Sequence, residues 1–173
     1  LFADAPNFNL KEVAAHARRK GVKLWVWVDW RVLDPIMEQA LNDLQTQGVV
    51  GINVDFMDRD DQEMVRWYEK LMETAARHKL MVELHGAFVP RGLARTYPNF
   101  ITQEGVLGSE YNKWSRRVTA GHNVMLAYTR GIVGPVDYIP GGFINVPPTE
   151  FEPRSLLPMV QTTRAHNLAM FVV

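Results

Sequence analysis

Apolar residues recur along the first half of the chain with two different spacings, and each spacing predicts one kind of element. Helical spacing covers residues 9–20, 34–48 and 61–78. Between these segments lie short runs rich in β-branched and aromatic residues, which predict strands at residues 23–30, 49–54 and 80–85. Helical crossovers of this length join parallel strands through right-handed connections. The pattern therefore predicts an α/β protein built on a parallel sheet.

The predicted helices carry start and stop signals that agree with their periodicity. Asn9, with Glu12 three residues later, resembles a capping box at the start of the first helix. Pro35 lies in the first turn of the second helix, and Gly48 follows its last turn. Asp60 or Asp61 is predicted to cap the third helix, because its N-terminus favours a negative charge.

The second half of the chain is less regular. Residues 100–102 predict a short strand, residues 122–130 and 155–166 predict helices, and residues 168–173 predict a last strand. Residues 134–148 contain three glycines and four prolines, which predicts a long loop. A complete (β/α)8 barrel has eight strands and about 250 residues, and this chain has fewer of both. The pattern leaves two architectures open, a doubly wound sheet or a barrel that lacks its first units.

Composition excludes several classes of function. The 173 residues suffice for one domain with a sizeable core, and 47% of them are hydrophobic. Nineteen basic residues balance nineteen acidic ones, so neither nucleic acid nor an anionic membrane is expected as a partner. The absence of cysteine excludes disulfides and thiolate catalysis. No apolar run is long enough for a membrane helix.

Acidic residues follow the predicted strands, where parallel α/β sheets gather their catalytic groups. The carboxylates in or directly after strand-like runs are those of Asp29, Asp55, Glu83 and Glu104. Asp55 is the main candidate, because apolar residues flank it and no helix needs it as a cap. Two carboxylates suit glycoside hydrolysis, in which one protonates the leaving oxygen and the other attacks or activates water. Asp29, Asp55 and Glu83 could equally hold a divalent metal, as in a metal-dependent barrel enzyme.

Two further residues at predicted strand ends are candidates for contact with a ligand. His85 could hold a sugar hydroxyl or a metal, or be a hydrogen-bonded core histidine. Trp30 ends a strand that also contains Trp25 and Trp27, and aromatic rings stack on sugar faces. A tryptophan within a strand is more often a core residue, so only Trp30 is predicted to contact substrate.

Four segments of the chain are familiar as a set. They are GVKLWVWVDW, GINVDFMDRDDQ, HGAFVPRGLARTYPNFITQEGVLGSEYNKW and HNVMLAYTRGIVGPVDYIPGGF. Together they resemble the catalytic barrel of glycoside hydrolase family 97, in the same order and over residues 22–143. The resemblance implies a (β/α)8 TIM-type barrel in which Asp55 ends the fourth strand. Residues 1–173 would then form a single partial barrel domain with strands three to eight.

The resemblance also implies roles for individual residues. Glu110 matches the general acid of the family, Glu104 matches a calcium ligand, and both are predicted to lie at a Ca²⁺ site. Inverting members carry a glutamate base directly after the histidine that matches His85, where this chain has Gly86. Retaining members use an aspartate nucleophile, and Asp55 matches it. His85, with Asp29 and Trp30, is expected to contact substrate.

The implied activity is that of a retaining α-glycosidase that hydrolyses terminal α-galactosides through a covalent glycosyl-enzyme. Three alternatives stay open: an α-glucosidase of the same family, a divalent-metal barrel enzyme, and an inactive carbohydrate-binding remnant. Family members carry β-sandwich domains before and after the barrel, so we expect this chain to be a fragment with little activity alone. The expected partners are an oligosaccharide or α-galactoside and these two domains. The expected location is the bacterial periplasm or the medium.

Overall fold

The computed structural model describes residues 8–172 of the chain and divides into two compact units, Leu1–Glu104 and Gly105–Val173. The first unit alternates helices and strands as the periodicity predicts. Its elements are α1 (Leu10–Arg19), β1 (Leu24–Asp29), α2 (Trp30–Leu33), a 3₁₀ turn (Asp34–Ile36), α3 (Met37–Gln47), β2 (Val49–Asp55), α4 (Gln62–Arg77), β3 (Met81–Leu84), a 3₁₀ turn (Leu93–Arg95) and β4 (Phe100–Gln103).

The four strands of the first unit form one parallel sheet in the order β1-β2-β3-β4. This confirms the α/β class and the parallel sheet. The strands follow one another across the sheet in sequence order, and helices connect the first three, as right-handed crossovers require. In the β1–β2 pair, Asp29 lies directly opposite Asp55, so two carboxylates end neighbouring strands at the same edge.

Local signals set the helix ends where the sequence predicts them. The side chain of Asn9 accepts a hydrogen bond from the Glu12 backbone N–H at 3.0 Å and so caps α1. Gly48 ends α3 in the left-handed conformation, with φ of +94°. Asp61, and not Asp60, caps α4 by accepting from the Glu63 and Met64 N–H groups.

The sheet of the first unit has two chemically different faces. One face is apolar and packs under α3 and α4, which lie against β2 and β3. Its buried strand residues are Val28, Ile52, Val54, Val82 and Leu84. The other face carries a row of polar and aromatic residues at paired positions, Trp27, Asn53, Glu83 and Thr102. Side chains alternate along each strand, so Asp55 shares this second face with Asn53.

The second unit is built from short elements and long connections. They are a 3₁₀ helix (Ser109–Lys113), α5 (Ala120–Tyr128), a 3₁₀ turn (Arg130–Val133), β5 (Ile144–Asn145), β6 (Met159–Val160) and α6 (Arg164–Met170). The strands β5 and β6 pair in parallel. The helix predicted over residues 122–130 is present as α5. Along the described residues, no helix is long and apolar enough to cross a membrane.

Two sequence predictions in the second unit are wrong. Residues 155–166 do not form one helix, because Leu157 has a left-handed φ of +50° and precedes Pro158, and the strand β6 follows. Residues 168–172 do not form a strand, because α6 continues to Met170. The side chain of Thr163 accepts from the His166 N–H and starts α6, a capping signal that the periodicity obscured. Residue 173 lies outside the described part.

Candidate active site

Asp55 ends β2 with its carboxylate held by two donors. The side chain is buried, with 6% of its surface exposed. The indole Nε1–H of Trp27 donates to Oδ2 at 3.0 Å, and the backbone N–H of Phe56 donates to Oδ1 at 2.6 Å. A buried carboxylate needs such partners, because burial removes it from water. Two donors on different oxygens also fix the rotation of the carboxylate about its Cβ–Cγ bond.

The chain turns sharply as it leaves β2. Phe56 has a φ of +68° and Asp58 a φ of +46°, a left-handed conformation that residues other than glycine rarely adopt. The N–H of Asp58 donates to the carbonyl of Gly86 at 2.9 Å, which ties this turn to the end of β3. Strained backbone of this kind persists only where the surrounding structure holds it in place, and it clusters at functional sites.

Gly86 leaves room for the Asp55 carboxylate. Its φ is +55°, and a Cβ placed on it would lie 2.7 Å from Oδ1 of Asp55 and 2.9 Å from the backbone nitrogen of Phe56. Both distances are shorter than a van der Waals contact. In this arrangement a side chain at position 86 and the carboxylate of Asp55 compete for the same space.

Glu104 links the ends of β3 and β4. Its Oε2 accepts from the Gly86 backbone N–H at 2.7 Å, and its Oε1 lies 3.6 Å from Nε2 of His85. The backbone N–H of Glu104 donates to the carbonyl of Leu84 at 2.8 Å, which extends the parallel ladder. Glu104 therefore holds the turn that contains Gly86, and His85 lies beside it with a side chain that is 16% exposed.

The carboxylate of Asp29 is bound by Arg31, two residues further along the chain. Its side chain caps α2 by accepting from the Arg31 N–H at 2.9 Å, and the Arg31 guanidinium binds both of its oxygens at 3.0 and 2.6 Å. The hydrogen bonds from this guanidinium lower the pKa of Asp29 below its usual range. Asp29 is thus an ionised helix cap within an ion pair, and its contact with substrate stays a prediction.

Trp27 in β1 and Trp30, the first residue of α2, lie on opposite sides of the sheet. Trp30 packs its ring at 5.6 Å from that of Trp67, against the apolar core. Trp27 lies on the other face and reaches Asp55. Contact of Trp30 with substrate stays a prediction, and Trp27 was not among the predicted site residues. Alternation along β1 could have identified it, because Trp27 and Asp29 share a face and the strand register places that face beside Asp55.

Glu110 lies in the second unit, at the start of the 3₁₀ helix Ser109–Lys113. Its carboxylate is partly buried and accepts a hydrogen bond from Nζ of Lys113 at 3.2 Å. The neighbouring Ser109 is buried, and its Oγ lies 2.7 Å from the hydroxyl of Tyr138, which donates to Asn123 at 2.7 Å. This chain of hydrogen bonds fixes the turn that carries Glu110.

Glu104 and Glu110 are the predicted calcium ligands. Between residues 8 and 172, no three histidine, aspartate or glutamate side chains gather in a way that could hold a metal ion. Calcium takes six to eight oxygen ligands. The Glu104 carboxylate is a suitable donor by its chemistry, but it already accepts from Gly86. Calcium binding by Glu104 and Glu110 therefore stays a prediction.

The fold defines a class, the α/β proteins with a parallel sheet, and in this class ligand sites lie at the carboxyl edge of the strands, where Asp55 is found. Comparison with known proteins gives the family. The family model for glycoside hydrolase 97 matches residues 1–106. The chain belongs to glycoside hydrolase family 97.

Two curated relatives share this sequence along most of the chain. The retaining α-galactosidase of Bacteroides thetaiotaomicron is 39% identical over 167 residues, which cover 95% of this chain and 25% of the relative. The probable retaining α-galactosidase of Streptomyces bingchenggensis is 40% identical over 136 residues, which cover 78% of this chain and 21% of the relative. The chain thus spans about a quarter of the length of these relatives.

Solved structures agree with the family assignment. A glycoside hydrolase family 97 enzyme from Pseudoalteromonas sp. strain K8, in complex with panose, has a TM-score of 0.73 at 27% identity, covering 80% of this chain and 24% of that one. A β-arabinopyranosidase structure has a TM-score of 0.77 at 30% identity, covering 94% of this chain and 28% of that one.

Proposed function

We propose that the protein carrying this chain is a retaining α-galactosidase with Asp55 as nucleophile and Glu110 as acid and base. The observation that carries the proposal is the setting of Asp55, which is buried, held on both oxygens and faced by a glycine. Family membership supports hydrolysis of a glycosidic bond as the reaction. The names of two relatives at 39% and 40% identity suggest retention of the anomeric configuration and an α-galactoside as the substrate. Such a site suits a nucleophile, because attack requires one orientation of the carboxylate.

In the first step, a carboxylate oxygen of Asp55 attacks the anomeric carbon of the α-galactoside as the glycosidic bond breaks. Glu110 gives its proton to the departing oxygen, so the aglycone leaves as a neutral alcohol. The products are a β-galactosyl ester on Asp55 and an ionised Glu110. Retaining enzymes perform this step with carboxyl groups about 5–5.5 Å apart.

In the second step, Glu110 takes a proton from a water molecule, and the water oxygen attacks the anomeric carbon from the face that the aglycone left. The ester bond breaks and its electron pair returns to the carboxylate of Asp55. Two inversions give α-galactose. Glu110 ends protonated and Asp55 ionised, as at the start.

We place the four strands β1 to β4 as strands three to six of a (β/α)8 barrel. Two features support this assignment. Solved family 97 structures share the fold over 80% of the chain. The sheet also has one apolar face that packs under helices, as the outer face of a barrel wall does. The prediction of a single partial barrel domain follows from the same placement.

Calcium is proposed as the cofactor, with Glu104 and Glu110 among its ligands. The ion would supply fixed positive charge and coordination for sugar hydroxyls. Glu104 has a second role that needs no ion, since it accepts from the Gly86 N–H and holds the turn beside Asp55. Residues of the proposed β-sandwich partner domains would complete the ligand set.

A second substrate class has a specific observation in its favour. The β-arabinopyranosidase structure covers 94% of this chain with a TM-score of 0.77. A β-L-arabinopyranoside has the ring configuration of an α-D-galactopyranoside and lacks only the hydroxymethyl group on C5. The nucleophile and acid would serve both sugars equally, and the pocket around C5 would choose between them. An α-glucoside differs instead at the C4 hydroxyl.

The test is proton NMR of the first sugar that the intact protein releases from an aryl α-galactoside in the presence of calcium. Early α-galactose supports retention and the role of Asp55, and early β-galactose overturns it. Aryl β-L-arabinopyranoside and aryl α-glucoside, assayed in parallel, assign the substrate by their kcat/KM values. Absence of turnover on all three sugars would favour the inactive carbohydrate-binding alternative.

A further inference from the structure

Trp27 lies on the polar face of the sheet and has one polar side-chain atom, Nε1. This nitrogen donates to the carboxylate of Asp55 at 3.0 Å. The donor of Trp27 is therefore directed at the candidate nucleophile, which lies on the neighbouring strand.

A chain of contacts holds the Trp27 ring in place. The ring meets that of Phe56 edge to face, at 5.6 Å between centroids and an interplanar angle of 81°. The guanidinium of Arg31 lies 5.8 Å from the centroid of the Phe56 ring, and Asp29 binds that guanidinium through both oxygens. Each of these contacts is compatible with partial exposure. Together they restrict how far the indole can move away from Asp55.

We propose that Trp27 is the positioning residue of the nucleophile. Its indole N–H fixes Oδ2 of Asp55 and so sets the direction in which the carboxylate meets the anomeric carbon. The inference rests on the proposed function and extends it to a residue outside the acid and nucleophile pair. The physical reason is that the Phe56 N–H alone holds only Oδ1, and a carboxylate with one fixed oxygen can still rotate. A displacement of about 1 Å at the reacting atom costs on the order of 100-fold in rate.

The bond also accounts for both chemical steps. A hydrogen bond to an ionised acceptor is stronger than one to a neutral acceptor, so the indole donor favours the carboxylate form of Asp55. That form leaves in the second step, where the donor assists by charge, whereas in the first step the donor acts by orienting the attacking oxygen. Loss of the donor therefore lowers kcat by slowing the two bond changes at Asp55, while the affinity for substrate changes little.

The first test detects the bond without any substrate. The intact protein is labelled with tryptophan carrying ¹⁵N in the indole ring, and the Trp27 resonance is assigned by its loss in Trp27→Phe. Asp55→Asn keeps the size of the side chain and removes its charge. We expect the Trp27 N–H proton to move upfield in Asp55→Asn while the other indole resonances stay in place. An unchanged Trp27 resonance would overturn the inference whatever the substrate proves to be.

The second test asks whether Trp27 positions Asp55 or only lines the substrate pocket. Trp27→Phe keeps an aromatic ring and removes the donor, and we expect kcat on the aryl α-galactoside to fall about 10- to 100-fold with KM within about threefold. Trp25→Phe is the matched control, because Trp25 lies two residues earlier on the same face, with its ring over Gly51. We expect kcat to be unchanged in the control.

Two outcomes would overturn the positioning role. Near wild-type kcat in Trp27→Phe, with KM raised only in Trp27→Leu, would make Trp27 a wall of the substrate pocket. An equal loss of kcat in Trp25→Phe would make the effect one of sheet packing. Absence of turnover by the wild-type protein would remove the proposed function, and the positioning role with it. This failure of the proposed function is recognised separately, because it is measured on the wild-type protein before any residue is substituted.

Discussion

Gly86→Ala tests the idea that position 86 must stay empty for Asp55 to work. The substitution adds one methyl group whose carbon would lie 2.7 Å from Oδ1 of Asp55 and 2.9 Å from the Phe56 nitrogen. Since a carbon–oxygen contact needs more than 3 Å, either the carboxylate or the turn must move by several tenths of an ångström. The atom under pressure is an oxygen of the proposed nucleophile.

Three separable costs follow from this geometry. The left-handed φ of +55° penalises any residue with a Cβ, by about 1–2 kcal/mol. Overpacking against Asp55 and Phe56 adds about 1–3 kcal/mol to the loss of unfolding free energy. Displacement of the carboxylate lowers kcat on the order of 100-fold. The first cost is general to left-handed glycines, and the other two belong to this site.

Gly21→Ala is the matched control. Gly21 has a φ of +70°, and a Cβ there would meet nothing within 4 Å. We expect both variants to lose stability in thermal unfolding, and only Gly86→Ala to lose kcat on an aryl α-galactoside. If Gly86→Ala keeps kcat within threefold of Gly21→Ala, the carboxylate is not confined by position 86 and the reasoning fails.

Four further outcomes are expected. We expect Glu110→Gln to lose about 100-fold or more in kcat on alkyl galactosides. On dinitrophenyl galactoside, whose leaving group needs no proton, the rate of the first step should fall much less. Equal losses on the two substrates would contradict the acid role of Glu110. Leu41→Ala in the core lowers the unfolding free energy by about 2–5 kcal/mol, whereas Leu168→Ala, at a side chain that is 70% exposed, changes it little. The Arg59 guanidinium lowers the pKa of Asp61 from its usual 3.8. Ionised Asp61 therefore contributes its full stabilisation of α4 above pH 3.8, and this stabilisation is lost as the pH falls through the lowered pKa of the folded protein. The difference in Tm between the wild type and Asp61→Ala should therefore close in acid. Chelation should abolish turnover, and calcium but not magnesium should restore it, or the cofactor proposal fails.

Much of the first unit could be predicted from the sequence, because its signals are local. The caps at Asn9 and Asp61 and the stop at Gly48 act within one helical turn. The apolar periodicity of α3 and α4 matches the side that each buries. In the second unit the same periodicity misled at residues 155–166, where Leu157 and Pro158 break the helix that the apolar residues suggest.

The candidate site was predicted only in part. Asp55 stands out in the sequence because it ends an apolar run, and the structure places it at the end of β2. Trp30 was the candidate for substrate contact because it ends the predicted strand, whereas a tryptophan within a strand is more often a core residue. In the structure Trp30 begins a helix and turns to the core, while Trp27 remains on the face of Asp55. Which tryptophan reaches the carboxylate depends on the face on which it lies, and the strand register places the face of Trp27 beside Asp55.

The sequence by itself determined the family and the parallel α/β class, because these depend on residue types and their spacing along the chain. Only the tertiary structure decided which groups touch Asp55. The Trp27 indole arrives from a neighbouring strand 28 residues away in the sequence, and Gly86 arrives from the end of the next one. Both contacts arise from strand register. The register is set when the helices pack on the sheet, and no single stretch of the sequence encodes it.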